Sequence, residues 1–380
     1  MRFRKAPPKK TFEITIVDDN TYQVKAHKIS STDLLAVKKA CHVSDKRKTF
    51  QLSRVDLPTL MKFESKHSFS PVPRFIQRLA RKNHPLVFDP RRIPAPLWES
   101  LFPYQKEGVR MAVDVYGSRC LLADDMGLGK TRQALAFIGY HLPSRTLVVC
   151  PSYLRYHWQH ALKELLSCES QLVKKGSETL TEDVCIVSYD MLHTLHIPSG
   201  LFEVVVCDES HYVKSRKTKR TKALDPLVRS ARHALLMTGT PALNRPIELF
   251  SQLMMLRPIY IKNYSSYASR YCNGKPTPFG YDDRGSSNSH ELNWVLTRGF
   301  MIRRLKRDVL TQLPSKTRHT VWLELTTSQL VKVKAEFKIW QKLNNTIYKL
   351  PSGSEEQRRQ MFERQKIISQ LFRTTALAKC

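Results

Sequence analysis

Five short apolar runs recur along the middle of the chain, at 120–123, 146–150, 184–187, 204–207 and 234–237, separated by stretches of helical periodicity. Each is rich in Leu, Val or Ile and closes on polar or glycine-containing residues. Runs without polar alternation fit strands buried on both faces of a parallel sheet. The pattern predicts an α/β fold whose ligands gather at the carboxyl ends of its strands.

The flanks read differently. Residues 12–17 and 21–25 bracket Asp18-Asp19-Asn20, a hairpin signature, and 48–53 reads as a further strand. Helical periodicity at 32–40 and 56–65 completes a small α+β module over residues 1–70. Pro71, Pro73, Pro85, Pro90, Pro94 and Pro96 then mark a linker over 71–100. The α/β lobe occupies 101–260, and a helical, loop-rich extension occupies 261–380. Within that extension, Asn273-Gly274, Asp282-Asp283 and Ser286-Ser287-Asn288 predict loops over 263–293. Two long helices follow at 328–348 and 355–372, the second opened by a capping box of Ser354 and Gln357. Their many charged positions predict a projecting helical pair.

Charge changes the picture of partners, not of fold. The 380 residues hold 63 Lys+Arg against 33 Asp+Glu, a formal charge of +30. A mixed-sign surface on a small domain would leave about 2–8, so a polyanion such as nucleic acid is the expected partner. No apolar run approaches the roughly 20 residues of a membrane span, and no membrane partner is expected. The basic start, Arg2 to Lys10, lacks the apolar core of a secretory signal. None of the 8 cysteines forms a C-x-x-C pair, so no zinc site is expected, and the chain reads as intracellular. Cys150 and Cys207 lie in apolar runs, where a reduced, buried thiol is expected.

Chemistry enters at the ends of the runs. Ala123-Asp124-Asp125-Met126-Gly127-Leu128-Gly129-Lys130-Thr131 follows the first of them. Gly127 and Gly129 let backbone N–H groups close on phosphate oxygens, Lys130 adds charge, and Thr131 brings a hydroxyl for Mg²⁺. The helix starting near Gly129 aims its positive end at the same place. Asp124 stands where the general pattern has its first glycine. The fourth run delivers Asp208-Glu209-Ser210-His211. Two carboxylates at a strand end also occur where a strand merely reaches the surface. With the loop at Lys130, Asp208 suits the metal and Glu209 the attacking water.

These motifs, with Thr238-Gly239-Thr240-Pro241, resemble motifs I, II and III of superfamily 2 helicases, and more narrowly the SWI/SNF-type DNA translocases. Pro103-Tyr104-Gln105, Cys150-Pro151-Ser152, Val187-Ser188-Tyr189-Asp190 and Arg303-Arg304-Leu305-Lys306-Arg307-Asp308-Val309 extend the resemblance from about residue 101 to the end. Asp125, 282–288 and 301–314 look most like the annealing-helicase, or HepA-related (HARP), branch.

The resemblance implies a RecA-like lobe that binds ATP and Mg²⁺. In it Gln105 would read the adenine edge, Tyr104 would pack near the base, and Asp124, Met126, Gly127, Gly129, Lys130 and Thr131 would line the phosphate site. Thr131 and Asp208 would hold Mg²⁺ through water, and Lys130, Asp208 and Glu209 would carry catalysis. Thr238, Thr240 and His211 would couple nucleotide to DNA, with Ser152 on a loop that tracks the DNA backbone. The basic run of Lys214, Arg216, Lys217, Lys219, Arg220 and Lys222 is either a solvated helix start or a phosphate-contacting surface. Residues 1–70 resemble the HARP module, which implies forked or junction DNA without sequence preference, replication-fork repair, a nuclear location and a single-strand-binding protein as partner. A chromatin remodeller of the same family and a non-catalytic ATP- and DNA-binding derivative are the competing readings. The family's second lobe, with motifs IV to VI and an arginine finger, does not occur before Cys380, so the sequence reads as a fragment expected to hydrolyse ATP very weakly alone.

Overall fold

The computed structural model describes residues 12–18, 21–26, 31–41, 43, 47, 49–53, 69–70, 88–241, 245–257, 263–277, 280–309, 326–350 and 355–377. They fall into two units, divided after Thr311.

The first unit is built on a seven-stranded, all-parallel sheet. Its strands are β5 (Arg119–Leu122), β6 (Thr146–Cys150), β7 (Gln171–Leu172), β8 (Val184–Ser188), β9 (Val204–Cys207), β10 (His233–Met237) and β13 (Met301–Ile302). Their order is β13-β5-β10-β9-β6-β8-β7. All five apolar runs of the sequence are strands of this sheet. The reason for their lack of alternation is visible in the packing. Leu121, Leu147, Val149, Val205, Cys207 and Leu236 point into one apolar cluster, while Cys120, Leu122, Val148, Val204, Val206 and Leu235 point into the other. Helices cover both faces, so β6, β8 and β9 are buried along their whole length and β5 and β10 at all but their first residue. The thiols of Cys150 and Cys207 are fully buried, and burial raises both, Cys150 to about 12.

An antiparallel hairpin of β1 (Phe12–Ile16) and β2 (Thr21–Ala26) forms where Asp18-Asp19-Asn20 predicted it. With β3 (Thr49–Ser53) and β4 (Phe69–Ser70) it makes a four-stranded sheet in the order β3-β2-β1-β4. Phe12, Ile14 and Val24 join the same apolar cluster as the helix Ser289–Gly299, and Arg270 donates to the carbonyl of Ile14 at 3.1 Å. The expected helix at 56–65, the capping serine at 354 and Pro71, Pro73 and Pro85 lie outside the described residues.

Two stretches differ from expectation. Pro90, Pro94 and Pro96 open a 3₁₀ turn and the helix Ala95–Glu99, whose Leu97 is buried in the same apolar cluster as Ile93 and the helix Lys130–His141. Proline fits there because the first turn of a helix needs no N–H. The region 263–293 contains a helix, Tyr264–Tyr271, and a hairpin, β11 (Lys275–Thr277) with β12 (Gly280–Asp282). Asn263 caps that helix through Ser265 N–H at 2.8 Å, and Glu291, fully buried, holds Arg270 at 2.5 Å and the Tyr271 hydroxyl at 2.9 Å. Polar composition there serves caps and a buried ion pair rather than open loop.

In the second unit the helices Thr327–Lys349 and Glu355–Leu377 pack on one another, with Arg364 donating to Asn344 at 3.0 Å. Among the described residues no helix is long and apolar enough to cross a membrane.

At the amino end of the sheet, the His141 and His233 rings stack at 3.8 Å, and His141 Nε2 and His233 Nδ1 have no hydrogen-bond partner. Burial lowers them to about 3 and about 4, and each ring also opposes charge on the other or on neighbouring arginines. The folded lobe therefore binds fewer protons than the unfolded chain below pH 6.5. Stability is expected to fall between pH 7 and 5, on the order of 2 kcal/mol per ring as an upper figure. Urea unfolding should show a steeper acid loss in the wild type than in His141→Phe; equal pH slopes would remove the pair from the account.

Candidate nucleotide site

The sheet order does the first work of assembly. β5, β10 and β9 lie side by side, so the segments leaving their carboxyl ends, Asp124–Lys130, Thr238–Thr240 and Asp208–His211, meet at one edge of the lobe. Next to β5, β13 brings Arg303–Lys306 to the same edge.

The glycine loop after β5 ends on Gly129, which is left-handed at φ +69° and sits at the start of the 12-residue helix Lys130–His141. Any Cβ there would also come 2.3 Å from Gln105 Nε2, so the position admits only glycine without rearrangement. Lys130 Nζ donates to the carbonyls of Asp124 at 2.9 Å and Asp125 at 3.2 Å. Burial lowers its pKa, while Glu209, Asp124, Asp208 and Asp125 oppose that shift. Thr131 follows in the first turn, and Met126 is exposed at the loop's tip.

Gln105 is 2 % exposed and holds the loop from behind. Its Oε1 accepts from the Phe102 N–H at 2.9 Å, and its Nε2 donates to the Leu128 carbonyl at 3.1 Å. One N–H and one lone pair of the amide are left over. The Tyr104 hydroxyl reaches the same carbonyl at 3.3 Å, and its ring stacks on exposed Phe102 at 5.8 Å.

Asp124 is fully buried. Its carboxylate accepts from Arg304 Nη2 at 2.6 Å, Arg304 Nε and backbone N–H at 3.0 Å each, and Gln133 Nε2 at 3.0 Å. Arg304 also donates to the Tyr104 carbonyl and to Gln133 Oε1. The side chain at 124 thus faces the lobe's interior; only its backbone carbonyl meets Lys130. Arg303 donates to the carbonyls of Ala123 at 2.6 Å and Gly239 at 3.4 Å, bridging motif III to the loop.

Asp208 is 7 % exposed, and burial raises its carboxyl above the ordinary range. Trp158 Nε1 donates to its Oδ2 at 3.0 Å, opposing that rise, and the Glu209 N–H donates to its Oδ1 at 2.9 Å. The Tyr189 hydroxyl holds its carbonyl at 2.7 Å. Glu209 adopts a left-handed backbone, φ +50°, which costs a residue with a side chain about 1 kcal/mol. From Glu209 a polar chain runs through His211 Nδ1 (3.1 Å to Glu209 Oε2) to Thr238 Oγ1 (3.1 Å), which accepts from the Thr240 N–H at 3.1 Å. The donor set fits a Mg²⁺–nucleotide: Asp208 is a carboxylate shielded yet hydrogen-bonded, and Thr131 and Lys130 sit at a helix start.

Ser152 is exposed at the end of β6, flanked by Tyr153 and Tyr156, 72 % and 61 % exposed. In the basic run, Lys214 pairs with Glu248 at 3.3 Å, and Arg220 lies 3.8 Å from Asp190 and over the Tyr212 ring. Lys217 and Lys219 are exposed. Sequence reasoning missed Gln133, Trp158 and the tyrosines beside Ser152. None stands in a motif, and only the fold brings Trp158 to Asp208.

Residues 104–376 match the SNF2-related domain. The chain is 42% identical over 241 residues to the SWI/SNF-related matrix-associated actin-dependent regulator of chromatin subfamily A-like protein 1 of Bos taurus, covering 62% of this chain and 26% of that one. It is 38% identical over 305 residues to the DNA annealing helicase and endonuclease ZRANB3 of Homo sapiens, covering 76% and 27%. It thus spans about a quarter of the length of these curated relatives. Among solved structures it is similar to the Sulfolobus solfataricus SWI2/SNF2 ATPase core in complex with dsDNA, at 24% identity and a TM-score of 0.48, over 75% of this chain and 60% of that one.

Proposed function

The chain belongs to the SNF2-related family, and we propose that its lobe is the Mg²⁺–ATP-binding engine of a DNA translocase of the annealing-helicase type, acting on forked or junction DNA in nuclear fork repair. The observation that carries this reading is the meeting of Lys130, Asp208, Glu209 and Thr238 at the ends of three neighbouring strands. Lys130 and the helix start bind the phosphates, and the spare N–H and lone pair of Gln105 meet the adenine edge. Thr131 and Asp208 would hold Mg²⁺, which when bound would neutralise phosphate charge. Glu209 orients the attacking water and accepts its proton. His211 and Thr238 relay the state of that carboxylate toward Thr240, and DNA lies against Ser152 and the basic run. The relatives named for annealing and for chromatin support DNA as the substrate; the charge of +30 supports it independently.

One two-armed experiment tests this. Lys130→Ala should abolish Mg²⁺–ATP binding by calorimetry while leaving the fold intact, since Nζ bonds only to loop carbonyls. DNA binding should weaken steeply with salt, about 0.9 log unit per phosphate contact per log unit of salt. Lys217→Ala, Lys219→Ala and Arg220→Ala together should flatten that slope by about 2–3. Unchanged ATP affinity in Lys130→Ala, or salt-insensitive DNA binding, would count against the respective half.

A further inference from the structure

A second lysine stands over the phosphate loop. Beyond β13 the chain keeps to the loop's side: the Ala123 N–H donates to the Ile302 carbonyl at 2.7 Å and the Asp125 N–H to the Arg304 carbonyl at 3.0 Å. Asp125 then clamps the segment. Its Oδ1 lies 3.3 Å from Arg303 Nη2, and its Oδ2 accepts from the Lys306 backbone N–H at 3.1 Å. This clamp sets Lys306 so that a Cβ at Gly127 would come 2.9 Å from its Nζ and 3.1 Å from its Cε.

The other cations around the loop are engaged. Arg304 is bound to Asp124, Arg303 to two carbonyls, and Lys130 Nζ to two more. Among the described residues, no carboxylate lies within ion-pair distance of Lys306 Nζ. An ammonium that meets no carboxylate among the described residues thus rests against a glycine loop that already presents Lys130 and the positive end of a 12-residue helix. Glu209, Asp124, Asp208 and Asp125 offset part of the charge at Lys130, and the helix start with the two ammoniums on either side of the loop forms a place where an anion seats. Gly127, with φ +84°, both permits the loop's turn and leaves room for the ammonium.

We propose that Lys306 is a second phosphate-binding lysine of this lobe, its ammonium contacting the phosphate chain of a nucleoside di- or triphosphate in the loop. The proposal rests on the nucleotide site argued above. It assigns Asp125 a positioning role, holding Lys306 without touching ligand.

Calorimetry with Mg²⁺–ATP, Mg²⁺–ADP and adenosine tests it on the whole chain. Lys306→Ala and Lys306→Gln should each weaken ATP and ADP by about tenfold, equivalent to ~1.4 kcal/mol, and leave adenosine unchanged. Lys306→Arg should stay close to wild type. On the unmodified chain, amine acetylation read by mass spectrometry should show Lys306 shielded by saturating Mg²⁺–ATP and not by adenosine. If Lys130→Ala loses ATP while Lys306→Ala binds it normally and Lys306 acetylates equally with and without nucleotide, the second lysine is refuted and the site stands. If Lys130→Ala also binds ATP normally, the nucleotide site itself falls, and Lys306 with it.

Discussion

Asp124→Gly is expected to destabilise the first unit by about 3 kcal/mol, although glycine is what a general phosphate loop carries at that position. The wild-type carboxylate is fully buried and takes four hydrogen bonds, three of them from Arg304. Removing one partner of a buried pair leaves the other charge uncompensated, at a cost of about 3–5 kcal/mol. Arg304 is 17% exposed and keeps the Tyr104 carbonyl and Gln133, so the lower end applies. Asp124→Ala should behave alike. Asp124→Ala with Arg304→Met should recover part of the loss, because the orphaned charge is gone. Urea titrations of the whole chain at constant m measure this. A loss below about 0.5 kcal/mol, the range of an ordinary surface change, would show that Asp124 does not tie β5 to β13.

That residue also marks how far the sequence could be read. The strands were legible because burial on both faces makes their apolar runs continuous, and the glycine loop stood out because its glycines, Lys130 and Thr131 occur together at the end of one of those runs. Asp124 was visible only as a departure from a pattern, since its partner Arg304 is 180 residues away and packing alone makes them neighbours. β13 holds two residues, Met301 and Ile302, too few for any periodicity. Yet it carries the whole of Arg303–Lys306 to the site. The helix Tyr264–Tyr271 was hidden by its serines; in the structure Asn263 caps it, and Tyr267, Ala268 and Tyr271 form its buried stripe. Gln105 stood out in the sequence, but its two bonds to Phe102 and Leu128 were not legible there, because an amide's partners depend on where the loop lies.

Glu209→Gln is expected to lower ATP turnover by about 10²–10⁴, the span attributed to a positioned general base, with nucleotide affinity within about twofold. The substitution keeps the shape and the Oε1 acceptor but removes the charge that draws a proton from water. Affinity should survive because Lys130, Thr131, Asp208 and Gln105 are untouched, and because the Glu209 side chain is not what holds the loop. Its backbone N–H still donates to Asp208, so the left-handed turn persists. His211→Ala should cost less, since His211 meets Glu209 and Thr238 rather than the reacting water, and should chiefly weaken the stimulation of turnover by DNA. Single-turnover phosphate release with protein in excess separates these effects, because it reads chemistry even where steady-state turnover is slow. Loss of ATP affinity and turnover together in Glu209→Gln would make Glu209 a ligand-binding residue. Unchanged turnover would move the base elsewhere, and the polar chain from Glu209 to Thr240 would then be a structural link alone.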